Sequence, residues 1–584
     1  MKKKEQWIDI LLCMILVLLP FLHVNVGIGI ADQGYNLANF EAFPDMNRTW
    51  MIATLVANLI GKFFTILPFG HTMLGMNVYC TLLLSVMSAL MYFILKKEYC
   101  RYSVFAGLIL AVCFSWAPKV TLYQYVSYYL FCAGAVVLVQ GLRKKNRKFL
   151  FLAGVLLGIN LFVRFPNALQ VALIVVVLFA GIIYKSKIKD VLLDVLICIA
   201  GYGAVVLPVI LMIELCWGKG SYMGMVNSLF AMTDSATAYS PFSMFYAMYN
   251  SYASNLKWFA GFFALAVIGW FVYGFLYKKV LRIFLYVLLG IAFAFILRVY
   301  WYYGILNMDY MTYNSVYVWG VCFLFLGILI LGLSLFSRKI TPEQKLYSVA
   351  VLVIIFISPL GSNNALYSNY NNLYLVAPVV LGTLASLWKN GEQSENKDNA
   401  HKRKVWHFSW RPIVGVASML VSVVLLQTFL FHGFFIFGDA GMDGEAKVTV
   451  ENNRVLAGMR TTDANARMLS ELTVFLTDYQ VDDAECIVWG RSPLLYYAMD
   501  LDCAIGHSWP SLDSYPYEEL KADLEALETY PVIIYEAMYY EDLKKEAPEW
   551  EEKALLITSL LQSGNYSEVF RNDFYVVCVP NIVK

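Results

Sequence analysis

The sequence is poor in charge, in histidine and in patterned cysteine. Charged residues make up only 15% of its 584 residues, whereas a soluble protein carries about 25%. The six histidines are scattered, and the eleven cysteines lack the paired spacing of zinc sites and disulfide frameworks. The sequence also contains no glycine-rich phosphate loop. These absences disfavour a soluble enzyme, a metal centre and a small disulfide-rich domain.

Long apolar runs take the place of the missing charge. Hydrophobic residues form 60% of the chain, and its mean hydropathy is +0.61. The first run extends from Trp7 to Ile30, and the last covers 412–437. Since a helix needs about 20 apolar residues to cross a bilayer, we count about thirteen spans. The sequence therefore predicts a polytopic α-helical membrane protein.

The basic clusters predict how these spans are oriented. If the spans alternate from a cytoplasmic amino terminus, every cluster falls on the cytoplasmic side, as the positive-inside rule requires. An odd number of spans then places the carboxyl terminus outside the cell. The clusters are at 96–97, 143–148, 185–189, 278–279, 338–339 and 401–404.

Charge also divides the chain into two predicted domains, 1–438 and 439–584. The second holds 27 acidic and 11 basic residues and has a net charge of −16, whereas the first has +18. A basic membrane body suits anionic membrane lipid, and the acidic domain disfavours nucleic acid as a partner.

Short apolar runs alternate with amphipathic stretches after residue 447. This pattern predicts a small extracytoplasmic α/β domain with a mostly parallel sheet. Thr461-Thr462-Asp463 is typical of a helix N-cap. Gly490-Arg491-Ser492-Pro493 follows a strand and opens a helix. We interpret it as a plain strand-to-helix turn, with an anion site as the alternative.

The first outer loop, 31–70, carries the most informative carboxylate, Asp32. It follows the first apolar run directly, where it is suited either to chemistry at the membrane surface or to a solvated loop. The apolar stretch from Trp50 to Ile60 predicts a helix lying in the interface. Glu41 and Asp45 share the loop and are candidates for a second carboxylate.

Three cations lie at the predicted outer ends of spans: Lys119, Arg164 and Arg298. They run against the charge bias and are well placed to bind a lipid phosphate. Snorkelling to ordinary headgroups is the alternative. Tyr35, Tyr123 and Asp309 are candidates for an acceptor or sugar pocket, although tyrosine is common at membrane interfaces in any case.

Several motifs resemble the membrane-embedded GT-C glycosyltransferases. They are Asp-x-Gly-Tyr-x-Leu from Asp32, then Leu67-Pro68-Phe69-Gly70, Val163-Arg164-Phe165-Pro166-Asn167, and Val488-Trp489-Gly490-Arg491-Ser492-Pro493 with Tyr496-Tyr497. The sequence is most similar to bacterial members related to protein O-mannosyltransferases and aminoarabinose transferases. The likeness in topology covers the whole chain.

This resemblance implies a polyprenyl-phosphate sugar donor and an envelope glycan, lipid or protein acceptor, at the outer face of a bacterial plasma membrane. Asp32 would be the general base of an inverting transfer, and Lys119, Arg164 and Arg298 would bind the donor phosphate. Family members often pair two acids in the first loop, whereas Gln33 follows Asp32 here. We therefore expect metal independence, with a divalent metal as the alternative, and no other cofactor.

Other functions fit the composition. A transporter would suit the number of spans, but carriers often show inverted repeats and charges at mid-membrane, which we do not detect. A polysaccharide polymerase or ligase would usually concentrate its chemistry in one large later loop. A sensory membrane protein is the remaining alternative.

Overall fold

The computed structural model describes most of the chain. The described residues are 2–115, 123–235, 241–276, 278–306, 314–361, 364–398, 409–436, 441–442, 447–479, 485–512, 514–537, 548–563 and 565–581. The candidate residues Lys119 and Asp309, and the predicted domain boundary at residue 438, lie outside them.

Helices form the body of the molecule up to residue 434. Their bounds are α1 Lys2–Leu18, α2 Asp32–Ala42, α3 Arg48–Ala53, α4 Leu55–Ile66, α5 Met73–Leu95, α6 Arg101–Phe114, α7 Tyr123–Lys144, α8 Arg147–Val163, α9 Ile174–Ile183, α10 Ile188–Trp217, α11 Ser221–Ser235, α12 Pro241–Tyr273, α13 Lys279–Tyr302, α14 Asn314–Phe336, α15 Pro342–Ile357, α16 Tyr367–Asn371, α17 Val376–Asp398 and α18 Arg411–Phe434. A 3-10 helix, Phe165–Leu173, precedes α9.

Eight helices in the described part of the chain are long and apolar enough to cross a membrane. Shorter apolar helices lie at Leu55–Ile66, Arg101–Phe114 and Val376–Lys389. The chain is a membrane protein. The count of about thirteen spans and their orientation remain predictions.

The first apolar run is not helical along its whole length. Helix α1 ends at Leu18 and passes into a 3-10 turn, Leu19–Phe21, in which Pro20 offers no backbone N–H. The chain from 22 to 30 has no regular helix and leads to Asp32. The expectation of a span reaching Ile30 was therefore too long, because hydrophobicity alone does not mark this break.

The first outer loop contains three helices rather than one. The predicted interfacial helix is present, but it breaks at Thr54 into α3 and α4. The Asn47 side chain accepts a hydrogen bond from Thr49 N and caps α3. Together, α2, α3 and α4 make the loop a packed layer.

The C-terminal region contains the sheet. Two short antiparallel pairs, β1 Phe435–Ile436 with β2 Gly441–Met442 and β3 Val448–Thr449 with β4 Arg460–Thr461, precede it. The main strands are β5 Glu485–Trp489, β6 Asp502–Cys503, β7 Val532–Glu536, β8 Ser567–Arg571 and β9 Tyr575–Val579, in the order β6-β5-β7-β9-β8. The helices are α19 Asp463–Asp478, α20 Leu494–Ala498, α21 Tyr517–Ala526 and α22 Pro548–Ser563.

The sheet is mixed, so the expectation of a mostly parallel sheet was wrong. Strand β5 is parallel to β6 and β7, whereas β9 is antiparallel to both β7 and β8. The connection from β8 to β9 is too short for a parallel crossover. Asn572 Oδ1 closes this connection by accepting hydrogen bonds from Phe574 N and Tyr575 N.

The N-cap expected before α19 is confirmed. Helix α19 begins at Asp463, and the Thr462 side chain accepts a hydrogen bond from Asn465 N. This cap orients the first turn of α19, which includes Asn465, toward the first outer loop.

Main-chain hydrogen bonds join the C-terminal region to the start of the chain. Gly27 N donates to Arg460 O at 2.9 Å, and Arg460 N donates to Asn25 O at 2.8 Å. Leu494 N donates to Ile30 O at 3.2 Å, two residues before Asp32 in the chain. The sheet region and the first outer loop therefore lie on one face of the helical body.

Gly34 makes the closest approach in this interface. A Cβ at Gly34 would lie 2.4 Å from Leu494 N and 2.5 Å from Leu494 Cα. Gly34→Ala should therefore lower the free energy of unfolding by about 1–3 kcal/mol through overpacking, measured as a lower Tm in detergent. Gly203→Ala is the matched control, because its Cβ would meet nothing within 4 Å. Equal Tm values for the two variants would contradict this close packing.

Candidate active site

Asp32 lines a cavity between the membrane body and the sheet region. The cavity has a volume of about 370 Å³. Asp32 is the first residue of α2, where the helix dipole favours a negative charge. The remaining lining residues come from both ends of the sequence: Gly29, Ile30, Ala31, Asn465, Met468, Arg491, Ser492, Glu536, Phe574 and Tyr575.

Gln33 holds the Asp32 segment in place. Its Oε1 accepts a hydrogen bond from Gly29 N at 3.1 Å, and its Nε2 donates to Asn77 Oδ1 at 2.8 Å. Asn77 in turn donates to Val24 O at 3.0 Å. This buried chain of amides ties the loop on both sides of Asp32 to α5. Gln33 thus positions the neighbouring carboxylate of Asp32.

The far wall of the cavity is built by the carboxyl ends of β5 and β7. These strands are parallel neighbours, so the residues that follow or end them meet at one edge of the sheet. Gly490 has φ +133°, and a Cβ there would lie 2.9 Å from Glu536 Cδ. A glycine is therefore required where the turn passes the carboxylate. Such strand ends are the usual ligand-binding edge of α/β sheets.

Glu536 organises this turn. Its Oε1 accepts hydrogen bonds from Arg491 N at 3.1 Å and from the hydroxyl of Ser492. The Ser492 and Tyr575 hydroxyl oxygens lie 2.8 Å apart. Ser492 is buried, so its two partners fix its orientation. These hydrogen bonds therefore fix the backbone that carries Arg491, whose side chain lines the cavity.

Two carboxylates and one guanidinium determine the electrostatics of the cavity. Partial desolvation at the cavity mouth, where the Asp32 side chain is still exposed, raises the pKa of Asp32 above its usual value, and the charge of Arg491 opposes this rise. Burial also raises the pKa of Glu536. The hydrogen bonds that Glu536 accepts from Ser492 and from Arg491 N, together with the charge of Arg491, oppose this rise. Arg491 thus acts on both carboxylates and links the electrostatics of the first loop and the sheet region.

The donor set does not make an evident metal site. Within the described ranges, no group of three or more His, Cys, Asp or Glu side chains is arranged to hold a metal ion. Divalent cations such as Mg²⁺ and Ca²⁺ prefer several oxygen ligands, whereas this cavity offers two carboxylates beside an arginine. We therefore derive no step through a metal ion, and metal independence remains a prediction.

The other two first-loop acids lie away from this cavity. Glu41 is nine residues after Asp32 on α2, which places it about 13 Å along the helix. Lys62 Nζ donates to Glu41 O at 2.8 Å, and burial, with Asp500 nearby, raises the pKa of Glu41. Asp45 is exposed in the turn after α2. The structure brings neither of them to the cavity wall with Asp32.

Tyr35 lies one helical turn after Asp32 and packs under the loop that follows β6. Its ring centroid is 5.7 Å from that of His507 and 5.9 Å from that of Trp509. His507 Nδ1 accepts a hydrogen bond from Trp509 N at 3.1 Å, which assigns the ring proton to Nε2, 3.5 Å from the Tyr35 hydroxyl. Burial lowers the pKa of His507 to about 3, so this histidine is neutral.

Tyr123 connects Tyr35 to Arg164. Burial raises the pKa of Tyr35, and Tyr123 is near enough to add to this rise. The Arg164 guanidinium lies 5.2 Å from the centroid of the Tyr123 ring and donates a hydrogen bond to Gly361 O. The structure therefore brings together three of the sequence-predicted residues, Tyr35, Tyr123 and Arg164, but none of them lines the cavity of Asp32.

A buried amide network supports Arg164. Asn160 Nδ2 donates to Ser127 O at 2.8 Å, and Asn167 Nδ2 donates to Ser127 Oγ at 2.8 Å. Gln170 Nε2 donates to Asn167 Oδ1 at 3.1 Å. The cavity beside Arg164 measures only about 20 Å³, room for about one water molecule. A phosphate group would fit there only if the surrounding side chains moved apart.

Arg298 stands apart from this group. It lies near the end of α13 with an exposed side chain, and it lines neither the Asp32 cavity nor the Arg164 cavity.

Sequence reasoning missed the residues that face Asp32. Arg491 and Ser492 belong to a turn that we interpreted as a plain strand-to-helix connection, and Glu536 and Tyr575 were not singled out. The sequence signal for a ligand site is the position of the turn at the carboxyl end of a predicted strand. This signal is weak, because the turn lacks a glycine-rich phosphate loop.

Comparison with known proteins is informative only at the level of structure. No protein-family model matches the chain. No curated protein matches it.

Solved structures similar to the chain include two membrane glycosyltransferases of the GT-C class, AglB and ArnT, the class that the first-loop motif resembles. Oligosaccharyltransferase AglB from Archaeoglobus fulgidus, in complex with an inhibitory peptide and a dolichol-phosphate, is 10% identical over 97% of this chain and 73% of its own, with a TM-score of 0.47. ArnT from Cupriavidus metallidurans, bound to undecaprenyl phosphate, is 8% identical over 98% of both chains, with a TM-score of 0.47. The Archaeoglobus enzyme has also been solved with Zn and sulfate (10% identity, 93% and 70% coverage, TM-score 0.44).

Proposed function

We propose that the protein is a membrane glycosyltransferase that moves a sugar from a polyprenyl-phosphate donor to a cell-envelope acceptor at the outer face of a bacterial plasma membrane. One observation carries the proposal. The first-loop carboxylate, Asp32, lines a cavity together with Arg491, Ser492 and Glu536 of the C-terminal region, and its side chain is exposed at the mouth of that cavity.

Asp32 has the properties that a general base needs. A base accepts a proton most effectively when its pKa is close to the working pH, and partial desolvation at the cavity mouth raises the pKa of Asp32 in that direction. In the proposed step the carboxylate takes the proton of an acceptor hydroxyl. The hydroxyl oxygen bonds to the anomeric carbon as the bond from that carbon to the phosphate oxygen breaks. A single displacement of this kind inverts the configuration of the sugar.

The departing phosphate needs positive charge but no added proton donor, since phosphate stabilises its own negative charge. Arg164 is the best-supported partner for it, because Tyr123 and Gly361 O already orient its guanidinium. A preorganised cation aimed at developing charge is an effective catalytic arrangement. Lys119 and Arg298 remain predicted contributors. Donor binding would require the narrow space beside Arg164 to widen.

Asp32→Asn should reduce sugar transfer by about 10²–10⁴-fold, the usual contribution of a general base. The side chain keeps its shape, so Tm and donor binding should not change. The measurement is a transfer assay on purified protein with radiolabelled polyprenyl-phosphate sugars and envelope extract. Asp478→Asn, an exposed change at the end of α19, is the control. Full activity of Asp32→Asn would remove this residue from the mechanism.

Arg491→Gln should shift the acid limb of the pH–rate profile to higher pH. The base works as a carboxylate, so activity falls as pH drops through the raised pKa of Asp32. Arg491 lowers that pKa, and its removal therefore raises it further. The measurement is transfer rate against pH for both proteins, with Tm recorded at each pH. An unchanged limb, or a shift to lower pH, would contradict the coupling.

Arg164→Ala should weaken donor binding by at least about tenfold, because a hydrogen bond to a charged group is worth about 1.5–3 kcal/mol. Acceptor KM should change little. Lys257→Ala is the matched control, since Lys257 also lies over an aromatic ring, 4.9 Å from that of Trp258. Equal donor affinity in the wild type and Arg164→Ala would refute the phosphate role of Arg164.

A further inference from the structure

A second and larger cavity lies at the other end of α7 and α8. Its volume is about 640 Å³, within the range of about 300–1,000 Å³ that is usual for ligand sites. Helix α7 begins at Tyr123, beside Arg164, and its 22 residues end at Lys144 in this cavity. That length is about 32 Å, close to the thickness of the hydrocarbon core. The cavity is therefore one membrane thickness away from the Arg164 end.

The cavity is cationic at its rim. Lys144, Lys145, Arg147 and Lys148 line it, together with the two acids Asp190 and Asp194. Arg147 pairs with both acids, at 4.0 Å from Asp190 and 3.4 Å from Asp194. These ion pairs join α8 to α10 across the opening. The three lysines add positive charge beyond what the two acids can balance.

The turn between α7 and α8 presents these lysines in a defined way. Lys145 adopts a left-handed conformation with φ +51°, and Asn146 N donates to Gly141 O at 2.9 Å. The Asn146 side chain accepts a hydrogen bond from Lys148 N at 3.0 Å and caps α8. The lysine backbones are therefore held by a tight turn rather than carried on an open loop.

Four aliphatic residues also line the cavity. They are Leu142, Leu150, Val177 and Val191, whose side chains are buried between the helices. The adjoining ends of α9 and α10 expose Ile182 (74%) and Ile188 (68%), as expected of a surface that faces lipid. A ligand here would need a negative head and an apolar body.

We propose that this cavity binds the headgroup of one anionic glycerophospholipid, with its phosphate among Lys144, Lys145 and Lys148 and its acyl chains against the exposed apolar surface of Ile182 and Ile188 beside the cavity. Lysine binds phosphate as a point charge, and basic pockets between membrane helices are suited to anionic headgroups. This assignment is independent of the proposed transfer reaction. It predicts a single site, distinct from the general attraction of a basic surface.

The test compares two triple variants of the full chain, purified in detergent. One is K144Q/K145Q/K148Q, which removes the lysines of the cavity. The other is K185Q/K187Q/K189Q, which removes the same charge from exposed positions beside the cavity that do not line it. Tm is followed during titration with phosphatidylglycerol, with phosphatidylcholine of the same acyl chains, and with inorganic phosphate.

Phosphatidylglycerol should raise the Tm of the wild type and of K185Q/K187Q/K189Q at similar concentrations. K144Q/K145Q/K148Q should require about a hundredfold higher phosphatidylglycerol concentration for the same rise in Tm, because each lysine contributes about fivefold to the affinity. If the Tm response to phosphatidylglycerol weakened equally in the two triple variants, the proposal would be overturned in favour of a general attraction to surface charge. An equal shift with phosphatidylcholine or with inorganic phosphate would also overturn it, the latter by indicating a site for soluble anions. If K144Q/K145Q/K148Q does not fold, K148Q should still weaken the response about fivefold, and an unchanged response would refute the site.

Discussion

The arrangement of the site depends on the docking of the C-terminal region onto the first outer loop. Backbone groups make this contact: Leu494 N donates to Ile30 O, and Arg460 exchanges hydrogen bonds with Asn25 and Gly27. Main-chain bonds set the register of two segments regardless of their side chains. Because the contact adjoins Asp32, the same bonds place the turn after β5 opposite the carboxylate. A shift of one residue would separate Asp32 from Arg491.

The position of Asp32 between the first loop and the sheet region determines the electrostatics of its carboxylate. On an isolated loop its carboxylate would be solvated and would titrate as in a peptide. Here the surrounding protein partly removes water from it, which raises its pKa, while the charge of Arg491 opposes this rise. Glu536 holds the backbone of Arg491 and Ser492. The first loop thus supplies the carboxylate, and the sheet region supplies the charge that shifts its pKa.

Helices α7 and α8 relate the two faces of the protein. At one end lie Tyr123 and Arg164, with the buried amides of α8 and the following 3-10 helix below them. At the other end lie the lysines and the cavity that they line. Charge therefore concentrates at both ends of this helix pair, while the segments between remain apolar. This separation is expected of helices that cross a bilayer.

Local patterns were enough to predict much of the fold. Composition established a membrane protein, Thr462 marked the start of α19, and the apolar run after Trp50 marked a helix in the first loop. Each of these rests on residues close together in the sequence. The early end of α1, the break at Thr54 and the antiparallel pairing of β9 escaped prediction because packing and chain connection decide them. The sequence by itself determined that an acid stands at the first exit from an apolar run. Only the tertiary structure decided that Arg491 and Glu536 face it. Main-chain hydrogen bonds between residues far apart in the sequence bring these groups together, and such contacts produce no pattern in the sequence that could predict them.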